Sequence, residues 1–198
     1  MKEKPILFNT EMVRAILSGQ KTQTRRLIRP RYKKDEGGFQ VNTRIATGER
    51  QVELLNEDEE PFENSRFVHP PYEVGDILYV RETWEPRHGN PKIGVPMHYG
   101  YRADSTDGIH NDMGFIAEWH PSIHMPKEAA RIFLKVTAVE VQRLQDMTID
   151  NVLHEGVSIT RGFADWIPLW NSTITKGMEN DYAWEANPWV WVIYFEKI

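Results

Sequence analysis

"ARIFLKVTAVEVQRL", residues 130–144, is the stretch on which the fold turns. Ile132, Leu134 and Val136 alternate with Phe133, Lys135 and Thr137, and Val139 and Val141 continue after Ala138. A repeat of two places one set of side chains on a covered face and the other toward water, which is the pattern of a long strand. "MTIDNVLHEG", residues 147–156, follows at once with a different period. There Thr148 is the expected N-cap, Ile149, Val152 and Leu153 share one helix face, and Gly156 is the stop.

The same grammar extends outward in both directions. "PWVWVIYFEKI" (188–198) is a nearly continuous apolar strand, and "GDILYVRETW" (75–84) is a strand opened by a Gly-Asp turn. "PILF" (5–8) reads as a short strand entering the helix "NTEMVRAILSG" (9–19). In that helix Thr10 is the expected N-cap, Val13, Ile16 and Leu17 form the apolar stripe, and Gly19 takes the left-handed C′ position. "FADWIPLWNSTI" (163–174) is expected to be helical but shortened by Pro168. Several strands with few, short helices predict an α+β chain built on a mixed β-barrel rather than a doubly wound sheet.

Two stretches interrupt the pattern. Residues 35–73 suggest an insertion, with a hairpin around "ATGE" (46–49), an acidic run and a Pro-rich exit. Residues 85–128 are rich in Gly, Pro and His and are expected to form loops over a binding surface, with one strand at "MHYGYRA" (97–103). The 198 residues are accordingly expected to form one domain, 1–198, with insertions at about 35–73 and 85–128.

Composition narrows the class. With 40% hydrophobic and 27% charged residues the chain can build a core. It has no cysteine, so disulfides and cysteine-ligated zinc are excluded. No apolar run reaches the roughly 18 residues of a membrane span, and the first residues carry Glu3 and Glu11 instead of a secretory signal. A cytoplasmic protein without membrane contact is the expectation. His120 and His124 are four apart with Pro121 between them, and no H-E-x-x-H exists, so neither a metal site nor a cofactor is expected.

Charge is distributed unevenly. "GQKTQTRRLIRPRYKK" (19–34) gathers seven of the 24 Lys and Arg residues with no acid among them. Residues 1–34 hold ten Lys and Arg against Glu3 and Glu11, while the whole chain carries −5. An anion-facing surface therefore fits a chain of negative net charge, because binding follows local potential. A threonine hydroxyl is a useful nucleophile only if a neighbour takes its proton, and a lysine does so when burial or nearby cations lower its pKa. Lys21, Thr22 and Thr24 sit beside Arg25 and Arg26 in that arrangement. The plainer reading is a basic surface loop with two exposed threonines. Glu82 and Glu155 are the carboxylates that could pair with the strip or move a proton. The alternatives are a structural Arg–Glu pair for Glu82 and a surface position for Glu155. Five of the seven tryptophans fall between Trp166 and Trp191, as core or lid residues, with one or two free to stack on a base.

These segments, in this order, resemble the ASCH domain family, and more narrowly its longer phage- and prophage-associated members. The resemblance rests on "ILSGQKTQTRR", "GDILYVRETW", "HMPKEAARIFLKVTAVEVQRLQDMTIDNVLHEG" and "NPWVWVIYFE". The G-x-K-T-x-T-x-R pattern of Gly19 to Arg26 is its most specific mark. The resemblance implies a PUA-like barrel with flanking helices and a cleft for RNA or a modified nucleoside. Small members of the family are amidohydrolases that deacetylate N4-acetylcytidine with a lysine and threonine of this motif and a downstream glutamate. Mapped onto this chain, those are Lys21, Thr24 and Glu155, with Arg26 as the motif's terminal arginine. Arg25, Arg26, Arg29 and Glu82 are the expected ligand-binding residues. A non-catalytic RNA-binding module and a ribonuclease using the same basic cleft are the alternatives. This chain is about twice as long as the compact enzymes, and residues 35–73 and 85–128 have no counterpart in them.

Overall fold

The computed structural model describes residues 2–28, 39–43, 50–54, 67–87, 98–158 and 160–198. The architecture is mixed α+β. Strands β1 (Glu3–Leu7), β2 (Gln23–Leu27), β3 (Phe39–Thr43), β4 (Arg50–Leu54) and β5 (Phe67–Val68) precede β6 (Ile77–Arg81), β7 (Trp84–Arg87), β8 (His98–Tyr101), β9 (Phe133–Arg143) and β10 (Trp189–Lys197). The helices are α1 (Thr10–Leu17), α2 (Ile149–His154), α3 (Phe163–Ser172) and α4 (Glu179–Tyr182). The main sheet has the order β1-β6-β9-β10-β2, and β3-β4-β5 and β7-β8 form two smaller sheets. No described helix is long and apolar enough to cross a membrane.

The chain groups into two compact units, one of residues 1–22, 75–136 and 195–198 and the other of residues 23–74 and 137–194. In the first, β1 runs parallel to β6, with Ile6 opposite Val80, and β6 runs antiparallel to β9, with Leu78 opposite Leu134. The period-two reading of 130–144 holds here: Ile132, Leu134 and Val136 are buried while Lys135 and Thr137 are exposed. α1 buries Val13, Ala15 and Ile16, and Leu17 faces outward instead. Its N-cap is Asn9 rather than Thr10, because the Asn9 side chain accepts the Met12 N–H at 2.8 Å. Gly19 takes the expected left-handed conformation at φ 79°. The strand expected within 97–103 is present as β8, and it pairs with β7, which was not expected, from Trp84 opposite Tyr101 to Arg87 opposite His98.

In the second unit, β10 and β2 pair antiparallel, from Val190 opposite Leu27 to Tyr194 opposite Gln23. α2 begins as expected, with the Thr148 hydroxyl accepting from Asn151 N–H and the Asn151 side chain accepting from Thr148 N–H. Gly156 closes it at φ 88°. α3 differs from expectation by running through Pro168. A proline inside a helix costs about 3 kcal/mol through its missing donor and its clash one turn back. Burial of Trp166 and Trp170, on either side of it, keeps the helix whole. The hairpin strands of 39–56 are present as β3 and β4, with Thr43 opposite Arg50, and their "ATGE" turn lies outside the described residues.

Candidate functional site

Within the basic strip, Gln23–Leu27 form β2 rather than a surface loop, and Gln23, Thr24 and Arg25 are all buried there. A strand sends alternate side chains to opposite faces, so Thr24 and Arg26 share one face and Gln23 and Arg25 the other. On the first face the Arg26 Nη1 donates to the Thr24 hydroxyl oxygen at 2.7 Å, and also to the Arg25 carbonyl at 3.0 Å. Burial pushes the Arg26 guanidinium below its ordinary value, against the opposing fields of Tyr72 and Glu155. Burial raises the Tyr72 phenol in turn, with Arg26 pulling the other way.

On the second face, β2 is fastened to α2. The Gln23 amide donates to the Asn151 carbonyl at 2.9 Å. Arg25 Nη1 donates to Glu155 Oε1 at 2.9 Å, in a pair whose side chains are 0% and 2% exposed. Arg25 Nη2 reaches Gln142 Oε1 and Asn151 Oδ1, each at 3.4 Å, and its buried Nε has no hydrogen-bond acceptor among the described residues. The helix end that carries Glu155 is short because Gly156 stops it, and that stop fixes where the carboxylate points. Thus the unit pairs Thr24 with Arg26 on one face of β2 and Arg25 with Glu155 on the other, and Arg25 is spent on holding Glu155.

Of the other sequence-derived residues, Lys21 and Glu82 belong to the first unit. Lys21, in the first unit, is buried with its Nζ 5.4 Å from the Phe8 ring centre, and its N–H donates to the Ala15 carbonyl. Glu82 is also in the first unit and pairs with Arg131: Nε donates to one carboxylate oxygen at 2.9 Å and Nη2 to the other at 3.2 Å. Burial raises the Glu82 carboxyl even so, with Arg131 opposing. Arg131 is raised, because hydrogen bonds to Glu82 and Asp104 outweigh its own burial. Its guanidinium also lies 3.9 Å from the Tyr101 ring centre. Arg29 and residues 31–34 lie outside the described residues.

Sequence reading missed Gln23, Gln142, Asn151 and Tyr72 as members of the Arg25–Arg26 cluster. Asn151 carried a faint signal, standing three residues after the Thr148 cap in the position of a capping box. Gln142 and Tyr72 carried none, because only the pairing of distant segments gives them a role.

No protein-family model matches the chain, and no curated protein matches it. Among solved structures it is similar to an ASCH domain from Lactobacillus crispatus JV V101, at 11% sequence identity and a TM-score of 0.48. That similarity covers 99% of this chain and 79% of the other.

Proposed function

We propose that this chain is an RNA- or nucleoside-directed protein of the ASCH, PUA-like type, and that it hydrolyses N-acylated pyrimidine nucleosides such as N4-acetylcytidine. On this reading residues 1–198 are one such domain, with insertions at about 35–73 and 85–128. The observation that carries the proposal is the buried Arg26–Thr24 hydrogen bond of 2.7 Å inside the K-T-x-T-x-R segment. A guanidinium on a threonine oxygen favours the alkoxide over the alcohol and fixes the direction from which that oxygen attacks. Thr24 Oγ1 attacks the acyl carbon, and Lys21, neutral at the start and three residues earlier in the same segment, takes the hydroxyl proton. The C–N bond breaks as the leaving amine of the base regains a proton, and water then cleaves the threonine ester to release the carboxylate. Glu155, fixed by Arg25, orients or relays protons in that exchange.

A second reading has its own support. Thr24 and Glu155 are each 2% exposed and each already hydrogen-bonded, which also suits a structural knot within a non-catalytic RNA-binding module. Chromatographic assay of N4-acetylcytidine and of acetylated RNA oligomers separates the two. Deacetylation is expected, and Thr24→Ala and Lys21→Ala are each expected to lower it by several orders of magnitude, since such groups act as a unit. Absence of turnover in the wild type, with salt-dependent RNA binding retained, would replace the hydrolase by the binding module.

A further inference from the structure

We propose that the segment from Ser105 to Trp119 is a docking finger for a protein partner whose surface offers an apolar cleft rimmed by lysine and arginine. The finger is a small hairpin in the first unit. His110 bridges Ile116, Asn111 N–H donates to the Phe115 carbonyl at 2.8 Å, and Ala117 N–H donates to the Ile109 carbonyl at 3.0 Å. Its turn is held by the Asn111 side-chain oxygen, which accepts from Met113 and Phe115 N–H at 3.1 and 3.0 Å, and by Gly114 at φ 82°. The base is fastened by Trp119 Nε1 donating to the Gly108 carbonyl, and the turn is tied to β7 by Asn111 Nδ2 donating to Glu85 and by an Arg87–Asp112 ion pair.

This bracing holds apolar side chains in water. Ile109, Met113, Phe115 and Ile116 are 58%, 64%, 66% and 78% exposed. Four large apolar residues exposed within eight positions are a concentration of apolar surface of the kind that marks an interaction site. These side chains come from both arms and from the turn, Ile109 on one arm, Ile116 on the other and Met113 and Phe115 between them, so the complementary shape is a cleft rather than a flat face. Ordering costs little on docking, because the hairpin is already hydrogen-bonded.

Charge selects the class of partner. Residues 105–119 contain Asp107, Asp112 and Glu118 and no Lys or Arg. Hydrogen bonds from the His110 ring, then from the His110 and Ile109 N–H groups, hold the Asp107 carboxyl well below the usual carboxylate range, so it stays charged. The cations that approach come from outside the finger: Arg87 is engaged by Asp112, and Arg102 lies against Gly108 at the base. With Arg87 spent on Asp112, the acids Asp107 and Glu118 remain beside the apolar surface and the finger itself supplies no Lys or Arg, which disfavours nucleic acid and anionic lipid. A protein cleft with a basic rim complements both features.

The test is to pan a random-peptide display library against the full chain, with the Phe115→Ser/Ile116→Ser double variant as counter-target. Peptides combining large apolar residues with Lys or Arg are expected. A labelled peptide of that consensus should bind the double variant roughly tenfold or more weakly, and should bind the wild type less well as salt rises. The variant's unfolding midpoint should not move, because both side chains are in water. An acidic or purely polar consensus, no consensus, or equal binding to the variant would overturn the proposal. So would finger-dependent pelleting with phosphatidylcholine vesicles, which assigns the tip to a membrane, or a finger-dependent dimer in sedimentation, which assigns it to a second copy. A variant that unfolds much earlier would show the tip to be packed, and would overturn it too.

Discussion

Changing Glu155 to Gln removes the ionic partner of a guanidinium that has nowhere else to go. Arg25 is fully buried, and Glu155 Oε1 at 2.9 Å is its one short acceptor among the described contacts. The amide oxygens of Gln142 and Asn151 remain at 3.4 Å, too long to replace a charged bond. Water does not reach the group to take over. One-sided removal from a buried pair costs about 3–5 kcal/mol, whereas replacing both partners by apolar residues of similar size costs far less. Glu155→Gln should therefore lose about 3–5 kcal/mol in urea unfolding at neutral pH, with the slope unchanged. The Arg25→Met/Glu155→Leu double variant should lose clearly less than the two single variants summed, by about 1.5 kcal/mol or more. A Glu155→Gln loss under about 1 kcal/mol, or strict additivity in the double variant, would show that the pair does not hold β2 to α2. The position of Glu155 in the proposed mechanism would then lose its physical basis as well.

Three further outcomes are expected. Glu82 has its carboxyl raised by burial, so its contribution to stability is full below the unfolded value of about 4.3 and is lost as pH rises through the folded value. The stability of the wild type minus that of Glu82→Gln should therefore grow on acidification, and a difference independent of pH in urea unfolding would refute this. Gly100→Ala should cost about 1–3 kcal/mol, since its Cβ would stand 2.8 Å from the Cγ of buried Glu85, whose carboxylate is held by Asn111; an unchanged thermal midpoint would contradict it. Leu134→Ala, fully buried near the start of β9, should cost about 2–5 kcal/mol in chemical unfolding, and a loss under about 1 kcal/mol would move the core elsewhere.

Much of the scaffold was legible because local periodicity writes it. The alternation of Ile132, Leu134 and Val136, the Thr148 cap with its Gly156 stop, and the apolar run of β10 each declare themselves within about ten residues. Where competing local signals were close in strength the reading slipped: Asn9 outcompeted Thr10 as a cap, and α3 passed through Pro168 because two buried tryptophans offset its cost. Charge clustering drew attention to Lys21, Arg25 and Arg26, and the resemblance carried by the K-T-x-T-x-R pattern singled out Thr24 and Glu155 beside them. What those residues do to one another was beyond any local signal. β2 has no apolar alternation, so nothing in "QTRRL" announces a strand; it is one because it pairs with β10, some 165 positions later in the chain. That pairing sends Arg25 to Glu155, 130 residues away, and turns Arg26 back onto Thr24. Glu82 and Glu155, indistinguishable as carboxylates in sequence, were sorted by the same means, one to Arg131 and the other to Arg25. Hydrophobic period is a property of neighbours along the chain, whereas burial and charge pairing are properties of neighbours in space, and only the tertiary structure supplies those.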